Sequence, residues 1–150
     1  MFHRLIARQA RRTFAAVNAH EYDKVLGAAL PDMRHRFAGE HALGGERHDP
    51  AHVRLWLERL HRLVPNIKIT VADVWVHGGL RRAVVVVRWT AAATLLDGTP
   101  YANRGVHIIH LRRRKIFSID VYEDSQAVAA ALNRQALAGL TEACAAPIVS

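Results

Sequence analysis

Ten histidines are spread along this chain, and alternation places two of them on inward-facing strand positions. In Met33-Arg34-His35-Arg36-Phe37, His35 shares a phase with Met33 and Phe37, while the two arginines take the other, the pattern of a strand with one wet face. From Tyr101 to Leu111, one phase reads Tyr101, Asn103, Gly105, His107, Ile109 and Leu111. The other carries Arg104, His110 and Arg112, so the first is the better inward face. An imidazole at such a site donates an N–H to a ligand oxygen, or acts as a base if its pKa lies near neutrality. The plain alternative is a half-buried histidine bonded to a backbone group. Tyr101 and Asn103 add a phenol and an amide on the same pleat face, able either to orient a ligand or to sit near the sheet end in solvent. A His35–His107 pair would move protons without a carboxylate, and equally two such rings can simply pack together. His41, in a glycine-rich loop, is placed to reach the mouth of a pocket, and Phe37 belongs to its apolar wall.

Other chemistries find no support. His107 and His110 are three apart on a strand and point to opposite faces, so they cannot grip one ion. His48 and His52 lack an HExxH or carboxylate triad, and the single Cys144 excludes an intrachain disulfide and a multi-cysteine metal site, so no metal is expected. The glycines of Gly39 to Gly45 lack dinucleotide-fingerprint spacing, and no cofactor is expected. The charge of +8 favours anionic partners without naming one. Arg112 to Lys115 and the arginines near the amino terminus lack interleaved aromatics or a helix-turn-helix, so nucleic acid is not the expected partner.

Positioning these residues requires a mixed fold. With 150 residues, 51% of them hydrophobic, and no run near the ~20 apolar residues of a membrane span, the chain is expected to be one soluble domain over 1–150, with no membrane partner. The segment MFHRLIARQARRTF is read as the first helix rather than a secretory signal or a mitochondrial presequence, and a reducing, cytoplasmic setting is expected. Leu5, Ile6, Ala10, Thr13, Phe14 and Val17 give that helix, about residues 2 to 19. Tyr22, Val25, Leu26 and Ala29 predict a short second helix stopped by Pro31. Asp49 as N-cap before Pro50 opens a third along Val53, Trp56, Leu57, Leu60 and Leu63. Four Val-, Ile- and aromatic-rich segments after Asn66, separated by tight turns, predict an antiparallel meander. Asp124 or Ser125 then caps a last helix with Val128, Leu132 and Leu137 inward, and the tail AAPIVS is read as loose. The plan is α+β: a long, coiled antiparallel sheet closed by helices, which encloses a cavity.

With that order in place, RHRFAGEHALGG, LVPNIKITVADV, VVVVRW and GVHIIHLRRRKI before VYED resemble the SnoaL-like proteins of the nuclear transport factor two-like superfamily, over about residues 5 to 135. The resemblance implies a cone-shaped curved sheet packed against N-terminal helices (a cystatin-like roll), a pocket between them, and often a homodimer. By its VxVxW pattern Val85, Val87 and Trp89 face inward. It also puts His107 where ketosteroid isomerases hold a pocket acid, and Val121 where cyclases hold an aspartate. Flanking Asp120 lies on the opposite phase, so the cyclase acid is missing unless a bulge shifts the register. The implied function is an isomerase, cyclase or hydratase acting on an apolar carbonyl or a polyketide- or steroid-like ligand through histidine acid/base chemistry. The alternative is a non-catalytic ligand-binding or dimeric interaction module, since one fold hosts several chemistries.

Overall fold

Asp49 ends the glycine-rich loop in extended backbone and its carboxylate accepts the His52 N–H at 2.8 Å, which with Pro50 at the first helical position starts a helix. In the computed structural model, which describes Met1–Ser150, that helix is α3 (Pro50–Leu63), and Val53, Trp56, Leu57, Leu60 and Leu63 are all buried along it. Helix α1 (Phe2–Asn18) buries Ile6, Phe14 and Ala16, while Leu5, expected on the same face, is left exposed. Asp124 caps α4 (Ser125–Leu137), accepting from Gln126 and Ala127 N–H at 3.1 Å. On α4 the expected inward Leu137 is exposed. Gln135 is the buried residue of the last turn, its amide donating to Leu63 O at 2.7 Å and accepting from Leu96 N–H at 3.0 Å.

The second helix is shorter than the period predicts. It ends at Leu26 (α2, Tyr22–Leu26), and Ala29 already belongs to strand β1 (Ala29–Phe37). Pro31 holds Leu30 out of the helical region, and it sits in β1 where no strand pairs on the outer side, because β2 (Gly45–Arg47) meets only His35 to Phe37. The remaining strands are β3 (Lys68–Gly78), β4 (Arg82–Thr94), β5 (Pro100–Arg112) and β6 (Lys115–Glu123). They form the expected antiparallel meander, and β1 adds to β6 in parallel, giving one curved open sheet of order β2-β1-β6-β5-β4-β3.

A bulge at Phe117 breaks the β5–β6 ladder, so that His110 faces Ser118 while Leu111 faces Ile116. Ile116 and Ile119, an odd number apart, consequently both reach the inner face. Beyond the bulge the pairing is regular, with His107 opposite Val121 and Gly105 opposite Glu123. Asp120 therefore stays outward, where its two oxygens take the Arg34 guanidinium at 2.8 and 3.1 Å, and no bulge returns an acid to the position of Val121.

The tail is docked rather than loose. Arg47, fully buried, donates to Gly44 O, Gly45 O and Ile148 O at 2.6 to 2.9 Å and to His35 Nδ1 at 3.1 Å, and the backbone N–H of His48 reaches Ser150 Oγ at 2.8 Å. A buried guanidinium without a carboxylate must find carbonyls, and the tail supplies one. No helix is long and apolar enough to cross a membrane.

Candidate functional site

Helices α1 to α4 close over the concave face of the sheet and leave a cavity of about 120 Å³, whose 28 lining residues include 24 hydrophobic ones. That is about the room that holds a single benzene ring, so a four-ring ligand would require the walls to move. His107, His35, Tyr101, Asn103, Trp89 and Phe37 all line it. The other four residues named from the sequence do not. Val87 and Val121 are sealed in the wall, Val85 faces a second, smaller chamber, and His41 lies in a surface hollow beside Gly39, Cys144 and Pro147.

Trp89 holds the key histidine. Its indole N–H donates to His107 Nδ1 at 2.7 Å, and it can do so because Gly105, its cross-strand partner, has no side chain. A Cβ on Gly105 would stand 2.6 Å from the Trp89 ring and 2.5 Å from Tyr122 O. Since an indole nitrogen only donates, Nδ1 of His107 accepts and the proton of the neutral ring is on Nε2. Phe14 packs edge-on against the imidazole at 4.9 Å, and burial holds its pKa down to about 3.

His35 is fixed in the same way. Arg47 Nε donates to its Nδ1 at 3.1 Å, so its proton too is on Nε2, and burial, then the Arg47 charge and then His107, hold its pKa well below the ordinary imidazole range. Neither Nε2 has a protein partner, and neither is among the atoms sealed from the cavity. The expected base role is thus physically disfavoured for both rings: each presents a neutral N–H donor.

Asn103 spends its amide on the wall, accepting from Arg104 N–H at 2.7 Å and Asp124 N–H at 3.2 Å and donating to Asp124 O and, at 2.9 Å, to Tyr101 Oη. Tyr101 therefore receives one hydrogen bond and keeps its own O–H to give. No Asp or Glu lines the cavity. Glu123, opposite Gly105 and on the phase of Val121, is a carboxyl whose charge acts on the lining residue Tyr101. Its Oε1 accepts from Ser125 Oγ at 3.2 Å, its Oε2 is buried without a partner, and burial pushes its pKa up to about 7. Its charge raises the Tyr101 pKa, after burial has done so. Phe14 and Trp56, which also line the cavity, carry only helical periodicity in the sequence and no sign of a ligand.

Residues 10–119 match the model of the SnoaL-like domain. The chain belongs to the SnoaL-like family. Solved structures of the same fold include TerC co-crystallised with polyporic acid, with a TM-score of 0.70 and 21% identity over 81% of this chain and 93% of TerC. An NTF2-like protein of unknown function from Burkholderia pseudomallei gives 0.73 and 18%, covering 83% of this chain and 95% of its own. A putative polyketide cyclase from Sinorhizobium meliloti gives 0.59 and 13%, over 77% and 94%. No curated protein matches the sequence. At these identities the neighbours establish the nuclear transport factor two-like fold of this SnoaL-like chain.

Proposed function

We propose that this protein binds a small apolar carbonyl compound, with the Nε2–H groups of His107 and His35 and the O–H of Tyr101 directed at its oxygen atoms. The observation that carries the reading is that the histidine and tyrosine groups left free in an otherwise hydrophobic cavity are donors, the Thr13 hydroxyl having given its own proton to Gln9 O, so the complementary ligand brings acceptors. Donors preorganised in a dry site bind an enolate-like oxygen more tightly than the parent carbonyl, which is the requirement of isomerase-, cyclase- or hydratase-type chemistry. In that chemistry the histidines stabilise charge and do not move protons. Glu123, with a pKa near 7 and a charge that acts on Tyr101, is the carboxyl suited to exchange a proton.

The absence of a carboxylate in the cavity lining favours a second reading, binding without turnover. Cyclohexenone separates the two. Quenching of tryptophan fluorescence reports binding next to Trp89, and loss of its α-proton signal in D2O reports proton transfer. Binding with exchange that Glu123→Gln abolishes supports catalysis, binding without exchange supports the second reading, and no binding removes both. A homodimer through the outer sheet face is part of this proposal, supported by Trp75 and Tyr122 standing 53% and 45% exposed there. Sedimentation of the wild type against Trp75→Glu tests it.

A further inference from the structure

Beside the main cavity lies a second chamber of about 50 Å³ between α1 and the sheet, walled by Ile6, Ala10, Val85 and Leu111. Thr13, Phe14, Ile109 and Ile116 line both spaces, so the two chambers are neighbours that share these four side chains as a wall. The charged residue of the second chamber is Arg114, exposed in the β5–β6 turn with φ 67°.

Arg114 makes no ion pair, and neither do Arg81, Arg82, Arg112, Arg113 or Lys115 around it. The β3–β4 and β5–β6 turns are tied side by side by the Arg113 N–H to Arg81 O bond of 3.1 Å, which concentrates these cations at one end of the sheet. Unpaired guanidinium groups, of which Arg114 lines the apolar chamber, contribute nothing to a purely apolar ligand. They are matched by an anionic group joined to an apolar body.

We propose that the ligand of this site is an anionic amphiphile, its carboxylate, sulfonate or phosphate held by Arg114 and its apolar body passing Phe14 to bring a carbonyl oxygen to His107. From Leu111 to His107 along β5 is roughly 13 Å, at ~3.3 Å per residue, the length of a medium acyl chain. The inference rests on the cavity being the ligand site, and adds the charge and polarity of what enters it.

Titration calorimetry with decanoate and with decanol tests it, run on the wild type, Arg114→Gln and Arg82→Gln. Decanoate is expected to bind about tenfold tighter than decanol, the worth of one charge-assisted hydrogen bond. Arg114→Gln removes that preference while leaving decanol affinity unchanged, and Arg82→Gln leaves the preference in place. Equal affinities in the wild type, an unaltered preference in Arg114→Gln, or an equal loss in Arg82→Gln, which would mean diffuse charge rather than a site, each overturn the proposal. If neither amphiphile binds but cyclohexenone does, this inference fails and the cavity reading stands. If none of the three binds, both fall.

Discussion

The tautomer of His107 follows from one contact, and so can be checked at one atom. With the Trp89 indole donating to Nδ1 and a pKa near 3, nitrogen NMR should find a neutral ring protonated on Nε2 from pH 8 down to about 4. In Trp89→Phe the donor is gone and both tautomers should be populated, with the ring still neutral because burial is the cause of the low pKa. A protonated ring at pH 6 would contradict this environment. Glu123 titrates in the opposite sense. Its folded pKa of about 7 exceeds the ordinary 4.5, so the folded state holds a proton that the unfolded chain releases, and stability falls as pH rises between about 4.5 and 7. Glu123→Gln keeps the neutral shape, and in urea titrations at pH 5 and pH 8 it should flatten that part of the profile. Alternation made the inward phases of His35 and His107 legible in the sequence. Their tautomers and pKa values were not, because the tautomers depend on Arg47 and Trp89, residues brought in by long-range pairing, and the pKa values first on burial.

At the scale of elements, the boundaries that local rules dictate emerged where expected, as at the Asp49 and Asp124 caps. Those decided by tertiary contacts did not. The helical period of Tyr22 to Ala29 is cut at Leu26 because Ala29 is taken into the pairing with β6, and the Phe117 bulge leaves no trace in residue type. The β4–β5 ladder offers a test of how an element serves the site. Gly105→Ala would push against both the Trp89 ring and Tyr122 O, and since one of these is backbone the strands must part slightly. We expect a loss of roughly 1–3 kcal/mol, as for overpacking generally, together with a change in the His107 NMR signal. Loss of stability with an unchanged His107 signal would show that Gly105 serves the ladder and not the Trp89 contact. The docked tail was equally hidden from sequence, since a basic residue in a glycine-rich loop is ordinarily solvated. Arg47→Met should cost roughly 3 kcal/mol or more, because three carbonyls lose their donor, and amide exchange at His48 and Ser150 should quicken with it.

For the molecule as a whole, the acid side of the stability profile is set by imidazoles that the fold keeps neutral. His107 and His35 face the cavity, with Trp89, Phe14, Arg47 and Trp56 packed about them. His61 on α3 stacks on His20 at 3.7 Å and lies 2.6 Å from Tyr22 Oη, with Nε2 sealed and unpartnered and its pKa lowered to about 4 by burial and then by His20. Each of the three binds a proton in the unfolded chain at about pH 6.5 and resists it when folded. The unfolded state therefore takes up more protons below pH 6.5, and stability must fall as pH falls through that value, levelling only near the folded pKa values. Glu123 works against this between about 4.5 and 7, but as one group against these three and His41, whose pKa burial also lowers. Urea midpoints should thus be lower at pH 5 than at pH 8. In His61→Gln, which removes one titrating ring outside the cavity, the difference should shrink without altering the affinity for cyclohexenone. A midpoint that rises on acidification would mean that the imidazoles are charged in the folded protein, and the neutral histidine donors of the proposed site would then lose their basis.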